Sequence, residues 1–210
     1  MILIGFDFSC NKTACCILQN NKYSFCLWPL EMDEKSIVKF KDIDVYVNNR
    51  SRIKEGITSS EKFRWHVTMA NDLTLRIISY LKLIIKNENV VIAFEGSSFA
   101  SRGDAALQLA GYRYILVNEL GKLYGLENIF TFAPMTVKST AHCASKDKKG
   151  KDSMISAFSE EMIYHPLCTT IKNNPALLKK KTNYISGIDD LADSFFVLKT
   201  LSIKENFGIF

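Results

Sequence analysis

The segment IGFDFSCNKTACCIL, residues 4–18, connects two apolar runs and places one acid, Asp7, inside the first of them. Apolar runs of this length, here residues 2–8 and 13–19, predict buried β-strands. Burying an ionised carboxylate costs several kcal/mol unless it is paired or bound to a metal. The position of Asp7 therefore predicts a functional carboxylate, with a cap on the turn after the strand as the alternative.

Length and composition predict a globular protein. The chain has 210 residues, of which 47% are hydrophobic, and we expect a single domain over residues 1–210 with an insertion at about 29–57. The formal charge of +5 permits a polyanionic partner without requiring one. No apolar run reaches the roughly 18 residues of a membrane span, and we see no export signal, so a cytoplasmic location is expected.

The order of apolar runs predicts the fold class. A third strand at 23–28 follows the Asn20-Asn21 turn, and Thr58-Ser59-Ser60-Glu61 fits a capping box that opens an amphipathic helix to residue 84. The remaining elements are expected at 90–94 (strand), 104–123 (helix), 129–132 (strand), 152–163 (helix) and 188–201 (helix), with a short strand candidate at 44–47 and a Lys-rich loop after Pro134. This order predicts an α/β fold with a mixed five-stranded sheet flanked by helices.

Three more acids occupy positions like that of Asp7. Glu95 ends the buried strand at 90–94, while Asp190 and Asp193 are three residues apart and share one face of the last helix. Carboxylate oxygens suit Mg²⁺ or Mn²⁺ better than zinc. The alternatives are a strand-end ion pair for Glu95 and a helix-capping role for acids such as Asp189.

The six cysteines are expected to be reduced, buried thiols, because no export signal accompanies them. The pairs His142-Cys143 and His165-x-x-Cys168 are a rival zinc interpretation, although they lack the usual ligand spacing.

Four segments in order resemble the motifs of RuvC-like Holliday junction resolvases, which belong to the RNase H-like nuclease superfamily: IGFDFSCNKTACCI, VVIAFEGSSF, FAPMTVKSTAHCASKDKKGKDSM and DDLADSFFVLKTL. The set spans nearly the whole chain and implies an RNase H-like fold. Phe8 stands where the family has proline, and the loop before Lys151 has a single late glycine. The segment at 29–56 is longer than the resemblance leads us to expect of a bacterial member and suggests a phage or viral relative, which would place the protein in a host cytoplasm.

The resemblance also implies an activity and its residues. Asp7, Glu95, Asp190 and Asp193 match the catalytic acids of a metal-dependent endonuclease that makes paired nicks near the crossover of a four-way junction. Two Mg²⁺ or Mn²⁺ ions per site are implied, with Asp7 bridging them and Glu95 and Asp190 each holding one. Asp193 would complete a metal shell or orient the attacking water. Lys151 matches a basic residue that stabilises charge on the phosphate.

A further set of residues is expected to contact DNA. Phe99 lies near the place of an aromatic side chain that probes the junction centre, with a core position as the alternative. Basic side chains would bind phosphates, or would form an ordinary solvated surface: Arg102, Lys138, Lys146, Lys148 and Lys149.

The implied partners are branched DNA and a second copy of the chain, because a junction has two strands to cut symmetrically. The helix at 104–123 or the one that starts at Glu61 could supply the dimer interface. Three alternatives remain: another RNase H-like nuclease acting on flaps or other branched DNA, a non-catalytic module that binds branched DNA, and a sugar-kinase or actin-like ATPase half. Clustered negative charge disfavours the second, and the lack of glycine-rich phosphate loops disfavours the third.

Overall fold

Three apolar runs at the start of the chain form an antiparallel meander, and a mixed sheet is built around it. The structure is a computed structural model that describes residues 1–30, 43–47, 56–86, 88–96, 103–144, 151–173 and 187–208, with only the backbone described at 104, 105 and 151. The strands are β1 (Ile2–Asp7), β2 (Lys12–Gln19), β3 (Lys22–Pro29), β4 (Asp44–Val45), β5 (Val90–Glu95) and β6 (Ile129–Phe132).

The sheet order is β4-β3-β2-β1-β5-β6, so the first strand lies in the interior of the sheet. Strands β5 and β6 run parallel to β1, and β5 has the buried apolar sequence that is typical of such a strand. The described part of the sheet has six strands rather than the five predicted. The additional strand is the two-residue β4, which pairs in parallel with β3 and lies within the expected short strand at 44–47.

Six α-helices are described in the ranges above: α1 (Ser59–Ile84), α2 (Asp104–Tyr124), α3 (Pro134–Thr140), α4 (Lys151–Glu161), α5 (Pro166–Asn173) and α6 (Ile188–Lys204). A 3₁₀ turn, Leu126–Asn128, precedes β6. The predicted capping box begins α1, since the Glu61 amide donates to Thr58 Oγ1 at 3.2 Å and the Thr58 amide donates to Glu61 Oε2 at 2.8 Å. No helix in the described ranges is long and apolar enough to cross a membrane.

The helices cover the sheet from both sides. Helices α1 and α2 pack on the face formed by residues such as Ile4, Phe6 and Phe94, and α3 to α6 pack on the face formed by residues such as Leu3 and Ala93. Alternation of side chains along each strand produces this division. Nearly every side chain of α6 is buried or partly buried, because that helix lies between the sheet and the helices α3 and α4.

Two short helices were missing from the sequence prediction. The predicted loop after Pro134 begins with α3, and the stretch that contains Pro166 forms α5. Proline at the first position of a helix costs nothing, because the amide it lacks has no partner there. Each helix then buries an apolar side chain, Val137 in α3 and Leu167 in α5, so tertiary packing supplies the stability that local sequence does not indicate.

Gly5 allows α6 to approach β1 unusually closely. A Cβ atom at this position would lie 2.3 Å from the Ser194 carbonyl oxygen and 2.4 Å from the Leu198 amide nitrogen. Only glycine permits a helix backbone to lie this near a strand. The contact fixes the helix over β1, with its N-terminal turn near the strand end that carries Asp7.

Candidate functional site

The predicted acids of β1 and β5 lie on the face of the sheet that α6 covers. Along β1, Asp7 lies on the same face as Leu3 and Gly5. Along β5, Glu95 lies on the same face as Val91 and Ala93. Both acids end their strands, and these two strands are parallel neighbours. The alternation of side chains thus brings both carboxyl groups to one edge of one face.

Helix α6 adds two acids to this edge. Burial, and then the negative charges of Asp190, Asp193 and Glu95, hold the pKa of Asp7 well above its ordinary value. The Asp190 side chain also lies within hydrogen-bonding reach of Asp7, which raises the pKa of Asp7 further. These four residues, Asp7, Glu95, Asp190 and Asp193, are called the acidic cluster below. The structure brings together all four acids that the sequence analysis singled out.

The raised pKa of Asp7 has a consequence for stability. An acid whose pKa is higher in the folded protein binds more protons there than in the unfolded chain. Its stabilising contribution is present below the unfolded pKa of about 3.9 and is lost as the pH rises through the folded value. Without a cation, the acidic cluster therefore destabilises the protein increasingly toward neutral pH.

Lys12 is a residue of this site that the sequence analysis missed. Only 6% of Lys12 is exposed. Its ammonium group forms an ion pair with Asp190 Oδ2 and lies 3.6 Å from Asp189 Oδ1. The alternation along β2 could have indicated this position, because Lys12 lies on the same face of the strand as Ala14 and Cys16, which face α6.

Glu95 has its own environment of positive charge. Burial raises the pKa of Glu95, and the charge of Lys138 on α3 partly offsets this effect. Arg113 on α2 donates a hydrogen bond from Nη1 to the Glu95 carbonyl oxygen at 3.0 Å, which holds the end of β5. Lys138 is therefore at the acidic cluster, and Arg113 is a second cation that the sequence did not indicate.

The donor set fits a hard divalent cation in its chemistry. Its atoms are carboxylate oxygens, and a cation would reverse the repulsion that raises the pKa of Asp7. Within the described ranges, no group of three or more His, Cys, Asp or Glu side chains is arranged to hold a metal ion. Carboxylates that lack a cation repel one another, and Asp190 contacts Lys12. The assignment of these acids as metal ligands stays a prediction.

The other predicted residues are placed only in part. Lys151 begins α4, but its side chain is not among those described. Five predicted DNA-binding residues lie outside the described residues: Phe99, Arg102, Lys146, Lys148 and Lys149.

The rival zinc interpretation finds no support in the described residues. His165 Nε2 lies 3.3 Å from the Tyr23 carbonyl oxygen, and His165 Nδ1 accepts a hydrogen bond from the Leu167 amide. The Cys143 thiol donates to the Ala141 carbonyl oxygen at 3.2 Å. These groups bind the backbone, and none belongs to a metal-binding group of the described chain.

Comparison with solved structures identifies the class of fold through its similarity to RuvC. RuvC of Thermus thermophilus, in complex with a Holliday junction substrate, has a TM-score of 0.51 at 12% identity and covers 100% of this chain and 98% of that chain. The yeast mitochondrial Holliday junction resolvase Ydc2 has a TM-score of 0.48 at 17% identity, covering 98% of this chain and 82% of that chain. No family model and no curated protein sequence matches the chain. The similarity to RuvC establishes the fold, and it confirms the predicted α/β class with a mixed sheet flanked by helices.

Proposed function

We propose that this protein is an endonuclease that resolves four-way DNA junctions by metal-dependent phosphodiester hydrolysis, with paired nicks near the crossover. One observation carries the proposal: Asp7 lies at the end of an interior strand, where burial and then the negative charges of Asp190, Asp193 and Glu95 raise its pKa. Coupled, buried carboxylates cost stability, so their presence on three separate elements is typical of a functional site. The substrate class comes from RuvC, whose structure with a Holliday junction substrate has the same fold.

The four acids of the acidic cluster would hold Mg²⁺ or Mn²⁺. Two ions bound there would activate water and stabilise the charge that develops on the phosphate. Lys138, beside Glu95, supplies a fixed positive charge at the same edge of the sheet. We assign Lys151 the same role, because it starts the helix that follows the Lys-rich segment.

We propose branched DNA and a second copy of the chain as partners. Two symmetric cuts require two active sites, and a two-fold dimer supplies them. Helices α1 and α2 carry exposed apolar side chains suited to an interface, namely Phe63, Val67, Leu107 and Tyr114. Sedimentation analysis of the full chain should give a mass near twice the 23.8 kDa of the monomer.

Cleavage of a synthetic four-way junction tests the proposal directly. The wild type is compared with Asp7→Asn and Glu95→Gln in Mg²⁺ or Mn²⁺, with a linear duplex of the same sequence as the second substrate. Glu127→Gln is the matched control, because Glu127 is exposed and lies before β6, at the opposite end of the parallel strands. Paired, metal-dependent nicks in the wild type and in Glu127→Gln, lost in the other two variants, are expected.

Other results identify the alternatives. Cleavage of flaps with no paired nicking of junctions would indicate another RNase H-like nuclease. Tight junction binding without cleavage in either metal would indicate a non-catalytic module. Full activity in Asp7→Asn would show that the acid of β1 is structural, and the proposal would be abandoned.

A further inference from the structure

Lys12 is held in place by its own turn. The Lys12 amide donates to Ser9 Oγ at 2.9 Å, and Ser9 Oγ donates to the Lys12 carbonyl oxygen at 2.8 Å. Thr13 Oγ1 then donates to the Ser9 carbonyl oxygen at 2.7 Å. Both the amide and the carbonyl group of Lys12 are therefore hydrogen-bonded within the turn between β1 and β2. These bonds fix the backbone that carries the Lys12 side chain.

Burying the Lys12 ion pair costs desolvation free energy. Lysine is almost never fully buried unless it is paired, and the desolvation of both partners offsets the attraction between them. An apolar side chain at the same place, like Ala14 two residues later on the same face, is often equally stabilising. Stability alone does not explain why an ammonium group contacts Asp190.

Its surroundings offer a second explanation. Asp190 Oδ2 forms the ion pair with Lys12, and the negative charge of Asp190 also acts on Asp7. Asp189, the preceding residue, lies within 3.6 Å of the same ammonium group. Lys12 thus supplies positive charge to the part of the acidic cluster that α6 contributes, and Lys138 supplies it beside Glu95.

We propose that Lys12 is a positioning residue of the acidic cluster, whose ammonium group holds the Asp190 carboxylate and supplies there the positive charge that a bound divalent cation would otherwise supply. The inference rests on the proposed function, because it assumes that the cluster takes such a cation. Lys12 then keeps Asp190 in place before the cation binds, and it weakens cation affinity through repulsion. Both effects disappear when the charge of Lys12 is removed.

Calorimetric titration of the full chain with Mg²⁺ alone, without DNA, tests this proposal. Lys12→Met removes the charge at similar length, and Lys12→Gln removes it while keeping a donor for Asp190 if the first variant folds poorly. Both are expected to bind Mg²⁺ at least about tenfold more tightly than the wild type, because a charge beside a divalent ion is worth more than one factor of ten at short range. Lys12→Arg, which keeps the charge, should bind within about threefold of the wild type.

Lys199→Met is the matched control for loss of an ion pair. Lys199 Nζ lies 2.5 Å from Glu161 Oε2 and joins α6 to α4, and neither residue is one of the cluster's acids. Its Mg²⁺ affinity should equal that of the wild type, while its melting temperature falls. A merely structural role for Lys12 would make Lys12→Met behave in the same way.

The outcomes separate this inference from the proposed function. Folded Lys12 variants with wild-type or weaker Mg²⁺ affinity would overturn the role of Lys12 and leave the nuclease proposal intact. Binding of Mg²⁺ by Lys12→Met but not by the wild type would support the role of Lys12 and contradict the proposed metal-dependent function. Absence of Mg²⁺ binding in every variant would overturn both.

Discussion

Gly5→Ala introduces one methyl group at the closest contact between strand and helix. The new Cβ would lie 2.3 Å from the Ser194 carbonyl oxygen, 2.4 Å from the Leu198 amide nitrogen and 2.8 Å from the Leu198 Cβ. The first two atoms are backbone, so no side-chain rotation relieves the clash. Restoring ordinary contact, at 3.4 Å or more, requires α6 to move by about 1 Å.

This displacement should be visible in both stability and activity. Overpacking a core typically costs about 1–3 kcal/mol, and a clash with backbone belongs at the upper end. A loss of about 3 kcal/mol lowers the melting temperature of a domain of this size by about 6–12 °C. Because α6 carries Asp190 and Asp193, a shift of about 1 Å should reduce the proposed junction cleavage by roughly a hundredfold even where the protein is folded.

Gly111→Ala is the matched control for this substitution. Gly111 lies inside α2, is exposed, and has open space where its Cβ would be. Alanine is a better helix former than glycine by about 1 kcal/mol, so this variant should melt slightly above the wild type. If Gly5→Ala melts within about 2 °C of the wild type, corresponding to less than about 1 kcal/mol, then α6 does not lie on β1 as described.

Three further predictions concern charge and ionisation. Without divalent cations, the urea midpoint of the wild type should fall as the pH rises above about 4, because the raised pKa of Asp7 makes the folded state hold more protons than the unfolded chain. Asp7→Asn should flatten this dependence, and an unchanged slope would contradict the raised pKa of Asp7. Arg113→Met should cost about 1.5–3 kcal/mol in urea unfolding, because the Glu95 carbonyl oxygen loses a charged donor, and a loss below about 0.5 kcal/mol would contradict that role. Burial raises the pKa of Cys10 to about 11, so its alkylation by iodoacetamide, followed by mass spectrometry, should be slow at pH 8 and accelerate about tenfold per pH unit up to that value; rapid reaction at pH 8 would show a lower pKa.

The sequence indicated that the four acids lie near one another because their positions break strong local patterns. Asp7 interrupts one apolar run and Glu95 ends another, and a charge at such a position is conspicuous. Asp190 and Asp193 are conspicuous through their spacing on an apolar helix. The same reasoning gave the order of the main strands and long helices, which depends on long periodic segments.

The parts that the sequence did not predict depend on tertiary contacts. Lys12 follows a polar turn and looks like a solvated hairpin residue until α6 is placed over it. Arg113 lies in the middle of a long helix, where an arginine is ordinary, and only the position of β5 gives it the Glu95 carbonyl oxygen. The helices α3 and α5 begin at prolines, which local rules interpret as breaks.

The placement of β1 in the interior of the sheet has a consequence for the order in which the protein is made. Synthesis produces β1 and its hairpin partner β2 close together, whereas β5 and α6 follow much later. Until residues 188–204 leave the ribosome, the face of β1 that carries Gly5 and Asp7 has no cover, and its apolar side chains are candidates for chaperone binding. A chain that stops before α6 lacks Asp190, Asp193 and the helix that buries Asp7. Chains that end before α6 therefore lack half of the acidic cluster, so the activity proposed above is expected only once residues 188–204 have been made.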